Sequence, residues 1–243
     1  MISRLVKAGT GQAAGIAAMA LLLGGSAHAT SISVDATDNI YQAAGSGIGT
    51  APIQLSASGG AIYTFTSVTI SSDFSYDNGG HQNTTPDGDG ADPGTSHTDP
   101  VNSFSGITAP HAGYLVGVFV AAGGPSGPAP ASLNYTGAGA TSSASYSPLL
   151  DQVFFIGDGL TGDGSGSVQD FMAPVGSAFL YLGFSDACGY NGTPGCYDDN
   201  RGSLTADVNS SLATTPVPAA LPLFATGLAG LGWLARRKRK QAA

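Results

Sequence analysis

The stretch "AIYTFTSVTI", Ala61 to Ile70, sets the reading of this chain, because its side chains repeat with a period of two. Ile62, Val68 and Ile70 fall on one face, and Tyr63 and Phe65 on the other. That is the period of a strand. "GSLTADVN" alternates in the same way, with Leu204, Ala206 and Val208 set against Ser203, Thr205 and Asp207. "GYLVGVFVAA" and "QVFFIG" are short continuous apolar runs, as expected of strands covered on both faces. "SAFLYLGFSD" is a further strand, and "SISV", "PIQLSA" and "SLNYTG" bring the total to about eight. No segment before the C-terminal tail has helical periodicity, and the connections are rich in Gly, Ser and Asn. The expected fold is all-β, an antiparallel β-sandwich of the jelly-roll kind. "DNGGHQNTTPDGDGADPGTSHTDPVNSFSG", Asp77 to Gly106, reads as a long polar loop, and "GGPSGPAPA" as a Pro/Gly connection.

The two ends are of another character. Arg4 and Lys7 precede the apolar run "GIAAMALLLGG", and small residues at Ala27 and Ala29 follow it. This is the pattern of a secretory signal peptide, residues 1–29, with cleavage after Ala29. At the other end an apolar segment from Pro218 to Ala235 precedes Arg236, Arg237, Lys238, Arg239 and Lys240. As a helix it would be about 27 Å long, at about 1.5 Å per residue, enough to span thinly a hydrocarbon core of about 30 Å. The basic cluster would stay on the cytoplasmic side and leave the preceding chain outside.

This tail resembles the PEP-CTERM sorting signal, which exosortases recognise in exopolysaccharide-producing Gram-negative bacteria. "TPVPAALPLFATG" is similar to the family's variant Val-Pro-Leu-Pro-Ala-Ala-Leu-Pro-Leu-Phe, with Pro216, Val217 and Pro218 as its Pro-x-Pro element and Thr215 in place of the leading Val. The resemblance implies export through the Sec pathway, transient anchoring in the inner membrane, and processing by exosortase. The cell surface or extracellular matrix would be the destination. It covers residues 216–240; residues 210–215 read as a spacer and 30–209 as the sandwich domain.

Between Thr30 and Pro216 the chain has sixteen Asp, no Glu and one cation, Arg201. That balance excludes nucleic acid as a partner, because phosphate contacts need Lys and Arg. It favours a solubilising acidic surface or a hard divalent cation, for which carboxylates are suitable ligands. The only cysteines, Cys188 and Cys196, lie close together in an exported domain, so a disulfide worth about 2–3 kcal/mol is expected. A two-cysteine zinc site is the alternative.

The segment from Tyr181 to Val208 gathers the richest chemistry. A strand ends at Asp186, the cysteine loop follows, and Asp198, Asp199 and Asn200 precede the next strand. Three carboxylates, an amide and loop carbonyls supply the oxygen-rich surroundings that calcium needs. A polar turn whose Asp and Asn bond locally to the backbone is the other reading. The segment resembles the calcium-dependent galactophilic lectins of the PA-I type, which are jelly-roll, galactose-binding-like proteins. The resemblance implies calcium held by Asp186, the Cys196 carbonyl, Asp199, Asn200 and, from "SSDFSYDNGG", the Tyr76 carbonyl. It also implies that Asp186, Asp199 and Asn200 meet a carbohydrate through the ion. The sugar-contacting His and Gln of that family have no counterpart at fixed spacing; His81 and His97 of the long loop are the candidates, with His97 as the carbohydrate contact.

"DGDGAD" and "GDGLTGDGSGS" look like calcium loops but lack the bidentate Glu of an EF-hand, and they read as flexible acidic turns. No Gly-x-Ser-x-Gly elbow occurs, and "GSGIG" lacks the strand-then-helix setting of a nucleotide loop. His81, His97 and His111 are available as bases, yet no catalytic site is expected. Three functions remain in view: a calcium-dependent lectin, a structural matrix or biofilm protein without a specific ligand, and a hydrolase acting on exopolysaccharide.

Overall fold

A computed structural model describes residues 28–80, 82, 85–88 and 94–212. Residues 1–27, which carry most of the expected signal peptide, His81, and residues 213–243, with Pro216, Val217, Pro218, Arg236 and Arg237, lie outside the described residues. Among the described residues no helix is long and apolar enough to cross a membrane.

The first strands are β1 (His28–Asp35), β2 (Ile53–Ser56), β3 (Ala61–Ile70), β4 (Ser96–Thr98) and β5 (Ile107–Ala109). Next come β6 (Leu115–Ala121), β7 (Leu133–Asn134), β8 (Ser145–Tyr146), β9 (Val153–Phe155) and β10 (Leu160–Gly162). The last are β11 (Ser165–Val168), β12 (Asp170–Met172), β13 (Ser177–Phe184), β14 (Asn191–Gly192) and β15 (Ser203–Leu212). All eight expected runs contain strands, and the seven additional strands are two to four residues long, too short to show a period. β1 includes His28 and Ala29, which read as the end of the leader, and β15 includes Ser210 to Leu212, which read as spacer. These residues pair with partners, His28 with Ser210 and Leu212 with Ala61.

One sheet has the order β1-β15-β3-β12-β8 and a second β2-β13-β6-β9. Their facing sides share a core that includes Val34, Phe65, Phe119, Phe154, Phe171 and Leu180. A third sheet, β14-β4-β5-β7, extends the second and encloses a core around Tyr41, Phe104, Ile107 and Tyr114. The architecture is therefore an all-β sandwich. It is not antiparallel throughout: β12 pairs with β8, β14 with β4 and β5 with β7 in parallel. Each of these pairs is separated along the chain by more than the dozen or so residues a parallel crossover requires.

The alternation of Ala61 to Ile70 changes phase halfway. Thr205 pairs with Thr69 but Asp207 pairs with Thr66, so β3 carries one residue more than β15 at this point. The extra residue is a bulge at Ser67, whose φ of 53° is left-handed. Before it, Tyr63 and Phe65 are buried; after it, Val68 and Ile70 turn to the same core. Ile62 is consequently not on the face of Val68 and Ile70, as a uniform period of two implies. In the second sheet, the continuous apolar run of β6 is buried on both sides from Leu115 to Val120. Gly117 sits under the Phe154 ring, where a Cβ would come within 2.7 Å of it.

The region from Asp77 to Gly106 is not all loop. β4 lies within it, joined to β5 on one side and β14 on the other. Thr98 Oγ1 shares hydrogen bonds with the Tyr41 hydroxyl at 2.7 Å and the Ser185 hydroxyl at 2.8 Å, tying this segment to the end of β13.

Candidate functional site

β13 delivers Asp186 to the edge of the sandwich, two residues past Phe184. The buried Tyr197 phenol holds that end in place, accepting from Asp186 N at 2.9 Å and donating to Phe184 O at 3.2 Å. Between them Cys188 and Cys196 form a disulfide, which removes the zinc alternative. The loop it closes is tight, with left-handed backbone at Gly189, Tyr190 and Cys196. A short 3-10 turn, Tyr197–Asp199, then leads to Asn200 and β15.

The chain around Tyr76 joins this corner through backbone. Ser75 and Arg201 exchange hydrogen bonds, Arg201 N to Ser75 O at 2.8 Å and Ser75 N to Arg201 O at 3.0 Å, and Asn78 N donates to Asp199 O at 2.7 Å. Tyr76 is thereby placed beside Asn200 and Asp77 beside Asp199. The structure brings Tyr76, Asp186, Cys196, Asp199 and Asn200 into one corner. It does not bring His97 there: the ring bonds to Thr108 Oγ1 at 2.8 Å and to Asp99 Oδ1 at 3.2 Å. On a strand successive side chains face opposite ways, and it is Thr98 that meets Ser185.

The oxygens of the corner are occupied unevenly. Asp186, 8% exposed, accepts from Ala187 N at 2.7 Å through Oδ1 and from Asn200 Nδ2 at 3.1 Å through Oδ2. Asn200, 6% exposed, also donates from Nδ2 to Ala36 O at 3.0 Å. Its Oδ1, and Oδ1 of Asp199, are buried without a hydrogen-bond donor among the described residues. A buried acceptor left unmet costs about 1–3 kcal/mol, so each such atom calls for a partner.

Burial pushes the Asp186 carboxyl up to about 7, and the nearby Asp199 and Asp77 charges add to the shift, while Asn200 and the Ala187 N–H oppose it. Asp199 is raised by burial first and then by Asp198 and Asp77. Arg201, the single Lys or Arg among the described residues, donates to Asn78. Two residues of the corner carried no sequence signal of their own. Asp77 follows Tyr76, and the Tyr190 hydroxyl, inside the disulfide loop, donates to Asp77 Oδ2 at 3.2 Å. The Tyr190 ring also meets Tyr76 edge-on, at 5.7 Å between centroids.

A second acidic group joins the two turns read separately as flexible. Asp87, from the first, and Asp158 and Asp163, from the second, place one oxygen each within 4.8 Å of one another. Asp87 Oδ1 accepts from Asp158 N at 2.8 Å; Asp158 accepts from Leu160 N and Gly164 N, each at 2.7 Å. Gly157 permits the approach, since a Cβ there would collide with Asp87 Oδ1. Burial pushes Asp87 up to about 7 and raises Asp158 as well. His111 and Asp87 line a cavity of about 130 Å³ beside the group.

Comparison of the chain with family models, with curated proteins and with solved structures finds no match.

Proposed function

We propose that this chain is an exported, exosortase-sorted protein of the cell surface or extracellular matrix whose sandwich, of the jelly-roll and galactose-binding-like kind, binds carbohydrate with calcium. The observation that supports it is the pair of buried, donor-less oxygens on Asp199 and Asn200 beside the Asp186 carboxylate. The donor set is all oxygen, as a hard cation requires. Asp186, Asp199 and Asn200 would hold the ion with side-chain oxygens, and Tyr76 and Cys196 with carbonyls. A calcium ion held there would supply Lewis acidity toward two adjacent hydroxyls of a sugar. Asp199 is the most exposed of the three, being half-buried where Asp186 and Asn200 are buried. The disulfide and the Tyr197 clamp fix the loop before any ligand arrives, which limits the ordering cost of binding. Binding at a single site is weak and becomes useful through many contacts along a polymer.

The burial of Asp186 and Asn200 favours a second reading, in which the ion only fastens the disulfide loop to the sheet and no glycan is bound. A glycan array probed with the full chain, in calcium and in EDTA, separates the two. Retention of galactosides or other vicinal diols only in calcium, lost in Asp199→Ala, supports the lectin. Calcium binding with an empty array assigns the structural role, and release of reducing ends from the polymer would instead indicate a hydrolase.

A further inference from the structure

We propose that a cavity between β7 and β8, remote in sequence from the acidic corner, is a binding site for one neutral sugar residue. The two strands are the terminal members of their sheets, so the cavity lies where two sheet edges meet. It has a volume of about 310 Å³, at the small end of the range of about 300–1,000 Å³ typical of small-molecule sites. Its floor is Tyr135, Gln152 and the half-buried Tyr146, and its rim is the exposed Asn134, Ser143 and Ser147. No charged residue lines it, which selects a neutral occupant.

The floor explains why that occupant should be a polyol rather than a hydrocarbon. Tyr135 is 5% exposed, and its hydroxyl is buried with no hydrogen-bond partner among the described residues. The Phe155 backbone lies near it and opposes the upward push that burial gives the phenol. Tyr146, by contrast, is fixed by its own hydroxyl, which donates to Ala140 O at 2.6 Å and accepts from Ser143 N at 3.2 Å. Gln152 is equally committed, accepting from Leu149 N and donating to Ala131 O. The Tyr135 and Tyr146 rings meet edge-on at 5.8 Å, giving a rigid aromatic wall for the apolar face of a pyranose. Rim hydroxyls and the Asn134 Nδ2 offer hydrogen bonds to the ring's polar edge, the Asn134 Oδ1 being taken by Thr136 N and Thr136 Oγ1. One feature therefore supplies stacking and another an unmet polar group, the two needs of a sugar.

The test is calorimetric titration of the full chain, in EDTA, with neutral methyl hexosides (galactoside, glucoside and mannoside) and with a neutral glucan and galactan. Saturable binding is expected, abolished by Ser147→Trp or Asn134→Trp, which fill the mouth from the exposed rim. Tyr135→Phe should weaken it about tenfold, the loss of one hydrogen bond, while the thermal midpoint stays level or rises. Binding of free hexosides points to a terminal residue, and binding of polymer alone to an internal one. No saturable binding of any of these probes, or binding that both tryptophan variants leave intact, overturns the proposal. A lower midpoint in Tyr135→Phe with unchanged sugar affinity does so as well. Because EDTA is present throughout, neither result bears on the Asp186 corner.

Discussion

At the Asp186 corner, buried oxygens of Asp199 and Asn200 lack donors, whereas at the Asp87 corner the half-buried Asp87 and the buried Asp158 accept from backbone N–H groups. Crowding of carboxylates would favour the second corner, since its three oxygens lie within 4.8 Å of one another. Donor accounting of the acceptor oxygens favours the first, while beside the second only His111 Nδ1 is buried without a partner among the described residues. The acids at Asp87 and Asp158 accept from backbone N–H groups and tie two loops together. Those at Asp186 and Asp199 are held by a disulfide loop and a strand end, with acceptor capacity left over. What distinguishes the Asp186 corner is thus a buried acceptor oxygen left without a donor, more than the number of acids.

Loosening one corner alone should separate the two most strongly. Replacing Cys188 and Cys196 by Ser should cost about 2–4 kcal/mol in urea unfolding. It should abolish calcium binding, and hydrogen exchange should quicken around Asp186 to Asn200 while the Asp158 turn stays protected. Smaller is the effect of Asp158→Ala, which strands the Leu160 and Gly164 N–H groups and should cost about 1–3 kcal/mol, equally with and without calcium. Asp199→Asn is the counterpart. In EDTA its stability should be level or slightly higher, and its calcium response should be lost.

The pH dependence separates the corners further. Burial holds both Asp186 and Asp87 at about 7 in the folded chain, against 3.8 for an unperturbed Asp. The folded chain then keeps protons that the unfolded chain has released. This stabilisation is complete below about pH 3.8 and is lost as pH rises through about 7. In EDTA the thermal midpoint should therefore fall across that window, with Asp186→Asn and Asp87→Asn each flattening part of the slope. Calcium should reverse only the Asp186 part, because ligation requires the carboxylate. The smallest effect is expected of Arg201→Gln, which removes an exposed contact to Asn78: less than about 0.5 kcal/mol by thermal unfolding, with slightly tighter calcium binding.

The long strands were legible because a period of two holds in β15 from Leu204 to Val208 and on either side of the bulge in β3, and because unbroken apolar runs such as Leu115 to Val120 suit a doubly covered strand. The bulge at Ser67 was not, since left-handed backbone at a serine has no compositional signature. Strands of two to four residues, such as Ser96–Thr98, owe their existence to partners supplied by distant chain. The same distinction runs through the sites. Asp186, Cys196, Asp199 and Asn200 lie within one short stretch, so their gathering was readable. Asp77 and Tyr190 meet across 113 positions, and Asp87 reaches the Asp158 backbone across 71. No local pattern marks such pairs.

The most direct test is the thermal midpoint of the full chain, produced in an oxidising host, measured in calcium and in EDTA. Three proteins are compared: the unaltered chain, Asp186→Ala/Asp199→Ala, and Asp87→Asn. Calcium at about a hundred times its dissociation constant should stabilise the unaltered chain and Asp87→Asn by about 2.7 kcal/mol, and leave the double variant unmoved. A midpoint indifferent to calcium, or a response lost in Asp87→Asn and kept in the double variant, would contradict the assignment of the ion to the Asp186 corner.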